Sequence, residues 1–156
     1  MATSTRASRT TGALSTDVTA PVRIAAKVVA VVFLAIGILG FIPGVTSNFD
    51  AFEVAGHESH AELLGLFQVS ALHNAVHLLF GVAGLIMAAG ASRARTFLIG
   101  AGSIYLALTA YGLVIDHDSA ANFVPVNAAD NLLHLALGAG MVALGAFLGR
   151  GVRTSR

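Results

Sequence analysis

Four long apolar runs decide what this chain can fold into. Ile24 to Ile42 is the first; an uncharged stretch from Leu63 to Ser92 contains the second, and Thr96 to Ile115 and Asn131 to Gly149 form the third and fourth. A helix crossing a hydrocarbon core of about 30 Å needs about 20 predominantly apolar residues, so each run is long enough for one crossing. The stretch from Leu63 to Ser92 exceeds that need. Its spanning part is expected at about residues 70–91, with the preceding HAELLGLFQV as an outward helical extension. The expected fold is all-α: a bundle of four transmembrane helices at approximately 24–42, 70–91, 96–115 and 131–149. Together these make one membrane domain over residues 22–150, and with 56% hydrophobic residues in a chain of 156 there is no room for a soluble domain beside it.

Arginine and lysine assign the sides. Arg6, Arg9, Arg23 and Lys27 precede the first run or stand at its entry, Arg93 and Arg95 separate the second from the third, and Arg150, Arg153 and Arg156 follow the fourth. The other two loops contain no basic residue. Because basic loops are retained in the cytoplasm, both termini are expected there. Residues 1–21, rich in Ser, Thr and Ala, read as a disordered cytoplasmic tail, and 151–156 as a short basic one. Among the acids only Asp17 falls inside; Asp50, Glu53, Glu58, Glu62, Asp116, Asp118 and Asp130 fall outside or at the outer boundary. The first run resembles a secretory signal, but no small-x-small cleavage site follows it, so an uncleaved helix is expected. The long connection after it is expected to carry a short surface helix.

Charge so divided gives no reason to expect a nucleic-acid partner; the lipid bilayer is the expected surrounding, with a homodimer or another membrane protein as a possible partner. Cysteine is absent, so any metal chemistry must use His, Asp or Glu. No phosphate-binding glycine loop, serine-nucleophile motif or H-E-x-x-H occurs, and in Gly56-His57-Glu58-Ser59-His60 the histidines are three apart instead of four. No enzymatic activity is expected on these grounds.

Two segments share one pattern. His73-Asn74-Ala-Val-His77-Leu78-Leu-Phe-Gly81 and Asp130-Asn131-Leu-Leu-His134-Leu135-Ala-Leu-Gly138 both read [HD]-N-x-x-H-L-x-x-G, each at the outer end of an inward-running helix. The repeat suggests two helical hairpins related by a pseudo-twofold axis along the membrane normal. Residues four apart share a helix face, so His73 stacks with His77 and Asp130 with His134. If the second and fourth spans pack together, three imidazoles and a carboxylate converge. His73, His77, Asp130 and His134 are therefore the candidate metal ligands, for a divalent transition metal or a haem, with Asn74 and Asn131 as a supporting polar cluster. His57, Glu58, His60, Glu62, Asp116, His117 and Asp118 in the outer loops lack firm spacing and read as solvated side chains.

At these twin N-x-x-H-L-x-x-G segments the chain resembles a family of small bacterial four-helix membrane proteins known as a domain of unknown function. In size and topology it is also similar, more loosely, to DoxX-like membrane proteins. The resemblance covers roughly residues 24–149. It implies a four-helix fold in a bacterial plasma membrane and supplies no substrate and no catalytic residue.

Three functions compete. The first is a structural or accessory membrane protein in which the His, Asp and Asn cluster ties the second span to the fourth by hydrogen bonds. The second is a metal- or haem-binding protein using the same residues. The third is a small transporter subunit, although no charged residue in the inner half of a span, except near its cytoplasmic end, marks a titratable path.

Overall fold

The computed structural model describes residues 19–150, so the expected tails lie outside the described residues except for 19–21. Four helices carry the fold: α1 (Ala20–Leu39), α2 (Ala71–Met87), α3 (Ala91–Val114) and α4 (Ala128–Leu148). Three of them, α1, α3 and α4, are long and apolar enough to cross a membrane. Helix α2 is the exception in length, with 17 residues, or about 25 Å at the α-helical rise. Ser70 starts it by accepting a hydrogen bond from the His73 amide. It stops before Ala88-Ala89-Gly90, which turn directly into α3. Helix α3 begins earlier than expected, and Arg93 and Arg95 belong to its first turns, because neither residue opposes helix formation.

The outer extension expected at HAELLGLFQV is corrected by the structure. A small antiparallel sheet of order β1-β2-β3 forms instead, from β1 (Thr46–Ser47), β2 (Glu62–Leu63) and β3 (Phe67–Gln68). Thr46 pairs with Leu63, and Glu62 with Gln68. Leu64 and Gly65 both take positive φ, at 57° and 67°, reversing the chain where a helix would need negative values. Alternation does the rest. Ala61, Leu63 and Val69 are buried together against Ile36, Val45, Phe52 and Phe67, while Glu62 between them is only partly covered. Where a surface helix was expected, the long connection carries this sheet and one 3₁₀ turn, Phe49–Ala51.

The helices pair as hairpins, α1 with α2 and α3 with α4, and the hairpins meet mainly through α1 and α3. Buried positions on α1 are Val22, Ala26, Ala30, Phe33 and Gly37; on α3, Ala94, Leu98, Gly102, Tyr105 and Thr109 recur with the same spacing. Phe33 and Tyr105 stack at the centre, with ring centroids 5.2 Å apart. Within the α3–α4 hairpin the backbones nearly touch: a Cβ on Gly138 would lie 3.0 Å from the Gly102 carbonyl oxygen. Gly145 and Gly149 face Leu98, Ile99 and Arg95 of α3, so this G-x-x-x-G pair serves packing within the chain. Arg23 donates from Nε to the Ala88 carbonyl at the end of α2, a favourable place for a cation at a helix C-terminus.

Candidate metal centre

The twin motifs open α2 and α4, and their first turns are fixed by different caps. Ser70 caps α2. On α4, Asn127 and Asp130 form a reciprocal capping box, Asn127 Oδ1 accepting from the Asp130 amide at 3.0 Å and Asp130 Oδ2 accepting from the Asn127 amide at 2.9 Å. Asp130 Oδ2 also accepts from the Gln68 amide at 2.9 Å, and Asn127 Nδ2 donates to Leu66 O. The sheet is thereby tied to the start of α4. Asp130 thus spends one carboxylate oxygen on backbone amides.

The histidines of both motifs point inward and meet. His73, His77 and His134 are each at most 5% exposed. One ligating nitrogen from each lies within 4.8 Å of the others, and this is the one such group of three among the described residues. His73 and His77 lie parallel, with Nε2 atoms 3.0 Å apart. The Pro125 carbonyl stands 3.1 Å from His73 Nδ1 and accepts a hydrogen bond from it. A neutral His73 so held turns the lone pair of Nε2 toward His77. Aromatic rings wall the cluster: Phe33 is edge-on to His77, and Tyr105 is edge-on to His134 at 4.9 Å.

Asn74 and Asn131 lie elsewhere. Each packs its amide against a glycine of the neighbouring helix within its hairpin, Asn74 on Gly40 and Asn131 on Gly112, and neither bonds to one of the three imidazoles. Asn131 Nδ2 lies 3.5 Å from His117 Nε2, and that nitrogen donates to the Gly112 carbonyl at 2.7 Å. The buried side-chain atoms that lack a hydrogen-bond partner among the described residues are Asn74 Nδ2 and Oδ1, His77 Nδ1, Asn131 Oδ1 and His134 Nδ1. All belong to the repeated N-x-x-H core of the motifs. Such groups are costly to bury, about 1–3 kcal/mol each, and they are concentrated at one pattern.

Among the described residues the side-chain hydrogen bonds of the histidines do not run between α2 and α4. These two helices are not main packing neighbours, and the contact between their histidines is ring to ring, His73 to His134 at 6.4 Å. The cluster instead separates two cavities. One of about 180 Å³ lies between α1 and α4 beneath the β2–β3 hairpin, and one of about 30 Å³ lies toward Val76, Leu108 and Val124. The outer-loop residues form a separate polar depression, lined by His57, His60, Glu62, His117 and Asp118. Gln68, Pro125, Phe33 and Tyr105 escaped the sequence reading. Only Asn127-x-x-Asp130, a capping-box spacing, carried a local signal for any part of this surrounding.

A family model described as a domain of unknown function, DUF4383, matches residues 23–147, which takes in the sheet, α2, α3 and all but the N-terminal end of α1 and the C-terminal end of α4. Neither the curated proteins nor the solved structures yield a match.

Proposed function

The chain belongs to the DUF4383 family, and we propose that it is a four-span membrane protein whose three histidines bind one divalent transition-metal ion, zinc or copper. The observation that carries this reading is the convergence of three buried imidazole nitrogens within 4.8 Å, drawn from two helices. Ligands about 2.0–2.1 Å from a tetrahedral ion stand about 3.3 Å from one another. The His73 and His77 Nε2 atoms are within a few tenths of that, and a His134 nitrogen completes a group that spans no more than 4.8 Å. The Pro125 carbonyl on His73 Nδ1 is the outer-shell partner that a ligating imidazole ordinarily has. Nitrogens 3.0 Å apart do not suit a haem, whose axial ligands approach from opposite faces of a macrocycle.

Asp130 is left to structure in this reading. Its contacts to the Asn127 and Gln68 amides favour a role in fixing α4 to the sheet, the part of the accessory-protein reading that a specific observation supports. The matched spacing of buried residues on α1 and α3, with the equivalent contacts Asn74 on Gly40 and Asn131 on Gly112, supports two hairpins related by a pseudo-twofold axis. The placement of Arg23, Lys27, Arg93, Arg95 and Arg150 at one end of the bundle supports a plasma-membrane orientation with that end in the cytoplasm. The histidines then sit toward the outer face.

X-ray absorption on zinc-loaded protein in detergent tests the ligand set. The expected spectrum shows imidazole multiple scattering and about three nitrogens at about 2.0 Å. A shell of oxygens without imidazole scattering overturns the assignment.

A further inference from the structure

Strands β2 and β3 are joined by Leu64-Gly65-Leu66, and the two leucines of this tip are 64% and 57% exposed. Leu64 sits at φ 57°, a left-handed conformation that turns ordinarily give to Gly, Asn or Asp. A leucine there bears the steric cost of the turn and, in water, the cost of an exposed apolar side chain as well. The backbone of the tip is held from both sides. The Leu64 amide donates to the Val45 carbonyl, and the Leu66 carbonyl accepts from Asn127 Nδ2 at the start of α4. Two leucines are thus presented outward on a fixed frame.

The tip adjoins the apolar face of α1. Leu64 lines the cavity of about 180 Å³ together with Val32, Ala35 and Leu39. These three are exposed, and with Val28 they follow one face of the helix. Helix α1 is long and apolar enough to cross a membrane, so in a bilayer this face meets lipid. The tip prolongs it outward. Polar residues take the other side of the hairpin: Glu62, two positions before Leu64, and Gln68, two after Leu66, line the outer depression with His57, His60 and Asp118. The tip itself carries no charge.

We propose that Leu64-Gly65-Leu66 is a wedge set into the outer leaflet, its leucines among the acyl chains of the lipid. The membrane surface then passes between these leucines and the Glu62 and Gln68 side of the hairpin. Lipid is the occupant because the leucines continue a helix face that lipid already covers, and because an uncharged apolar tip is stable there and exposed in water. The inference rests on the four-span part of the proposed function and is independent of the metal. It also sets the depth of the cavity, whose Leu64, Val32 and Leu39 side opens to acyl chains below the membrane surface.

The chain contains no tryptophan, so a single substitution makes a clean fluorescent reporter. Leu66→Trp, Leu64→Trp, Val28→Trp and Asp118→Trp are compared in the full chain in nanodiscs, with lipid brominated high on its acyl chains as one quencher and iodide in the water as the other. Leu66→Trp is expected to lose most of its emission to the brominated lipid and to be several-fold less sensitive to iodide than Asp118→Trp in the polar depression. Leu64→Trp gives the same reading should Leu66→Trp not fold. Iodide quenching equal to that of Asp118→Trp overturns the wedge, and shielding from both quenchers overturns it in favour of a protein partner. Val28→Trp keeps the two readings apart. If the brominated lipid quenches it and leaves Leu66→Trp bright, the wedge alone fails; if it too stays bright, the four-span reading fails and the wedge with it.

Discussion

Gly138→Val is expected to lower the stability of the bundle by about 3 kcal/mol, and Gly140→Val, two residues away on the same helix, to change it by less than about 0.5 kcal/mol. The difference lies in what a Cβ meets. At Gly138 it would lie 3.0 Å from the Gly102 carbonyl and from the Leu106 side chain, and at Gly102 a Cβ would lie 2.8 Å from the Gly138 carbonyl. Two helix backbones in mutual contact cannot yield as a side-chain tip does, so α3 and α4 must separate along the hairpin. At Gly140 nothing lies within 4 Å. Unfolding of both variants in mixed micelles of rising SDS content measures this. Equal losses at the two positions would show that the α3–α4 contact does not hold the hairpin.

Zinc is expected to stabilise the wild-type chain by about 4 kcal/mol when free zinc is about a thousandfold above its dissociation constant. Ions that bind the folded state alone shift the equilibrium by mass action, and three convergent imidazoles exist only when α2 and α4 are in place. In the combined His73→Ala, His77→Ala and His134→Ala variant the increment is expected to vanish, whatever that variant's stability without metal. Thermal unfolding with and without zinc gives the result. A zinc increment retained in the triple variant places the ion elsewhere.

The helices were legible in the sequence because their signal is local and long. Runs of apolar residues near the length of a membrane crossing locate α1, α3 and α4 to within a few residues. The segment before α2 was not legible in this way. H-A-E-L-L-G-L-F-Q-V is apolar enough for a helix, and what makes it a hairpin is a pair of left-handed residues, Leu64 and Gly65, together with burial against α1 that only the folded chain supplies. A leucine at positive φ is not foreseeable from propensity.

Part of the histidine cluster was legible for the same reason. His73 and His77 are one helical turn apart, so their stacking follows from periodicity, and the repeat of N-x-x-H brings His134 to the same end of the bundle. The roles of the other motif residues were not. Asp130 has the chemistry of a ligand, and its engagement by the Gln68 amide depends on where the sheet lies. Asn74 and Asn131 were expected beside the histidines, but each is held over a glycine of its hairpin partner, Gly40 and Gly112, and only the apposition of helices shows this. The glycines at those two positions are required by the amides they face.

The most direct test of the central claim is the metal content of the full chain, purified in detergent and dialysed to equilibrium against zinc and, separately, copper. The account predicts about one ion per chain for wild type and for Asp130→Asn, whose carboxylate serves the α4 cap, and none for the triple histidine variant. A wild-type chain that takes up no ion, or a triple variant that keeps one, contradicts it.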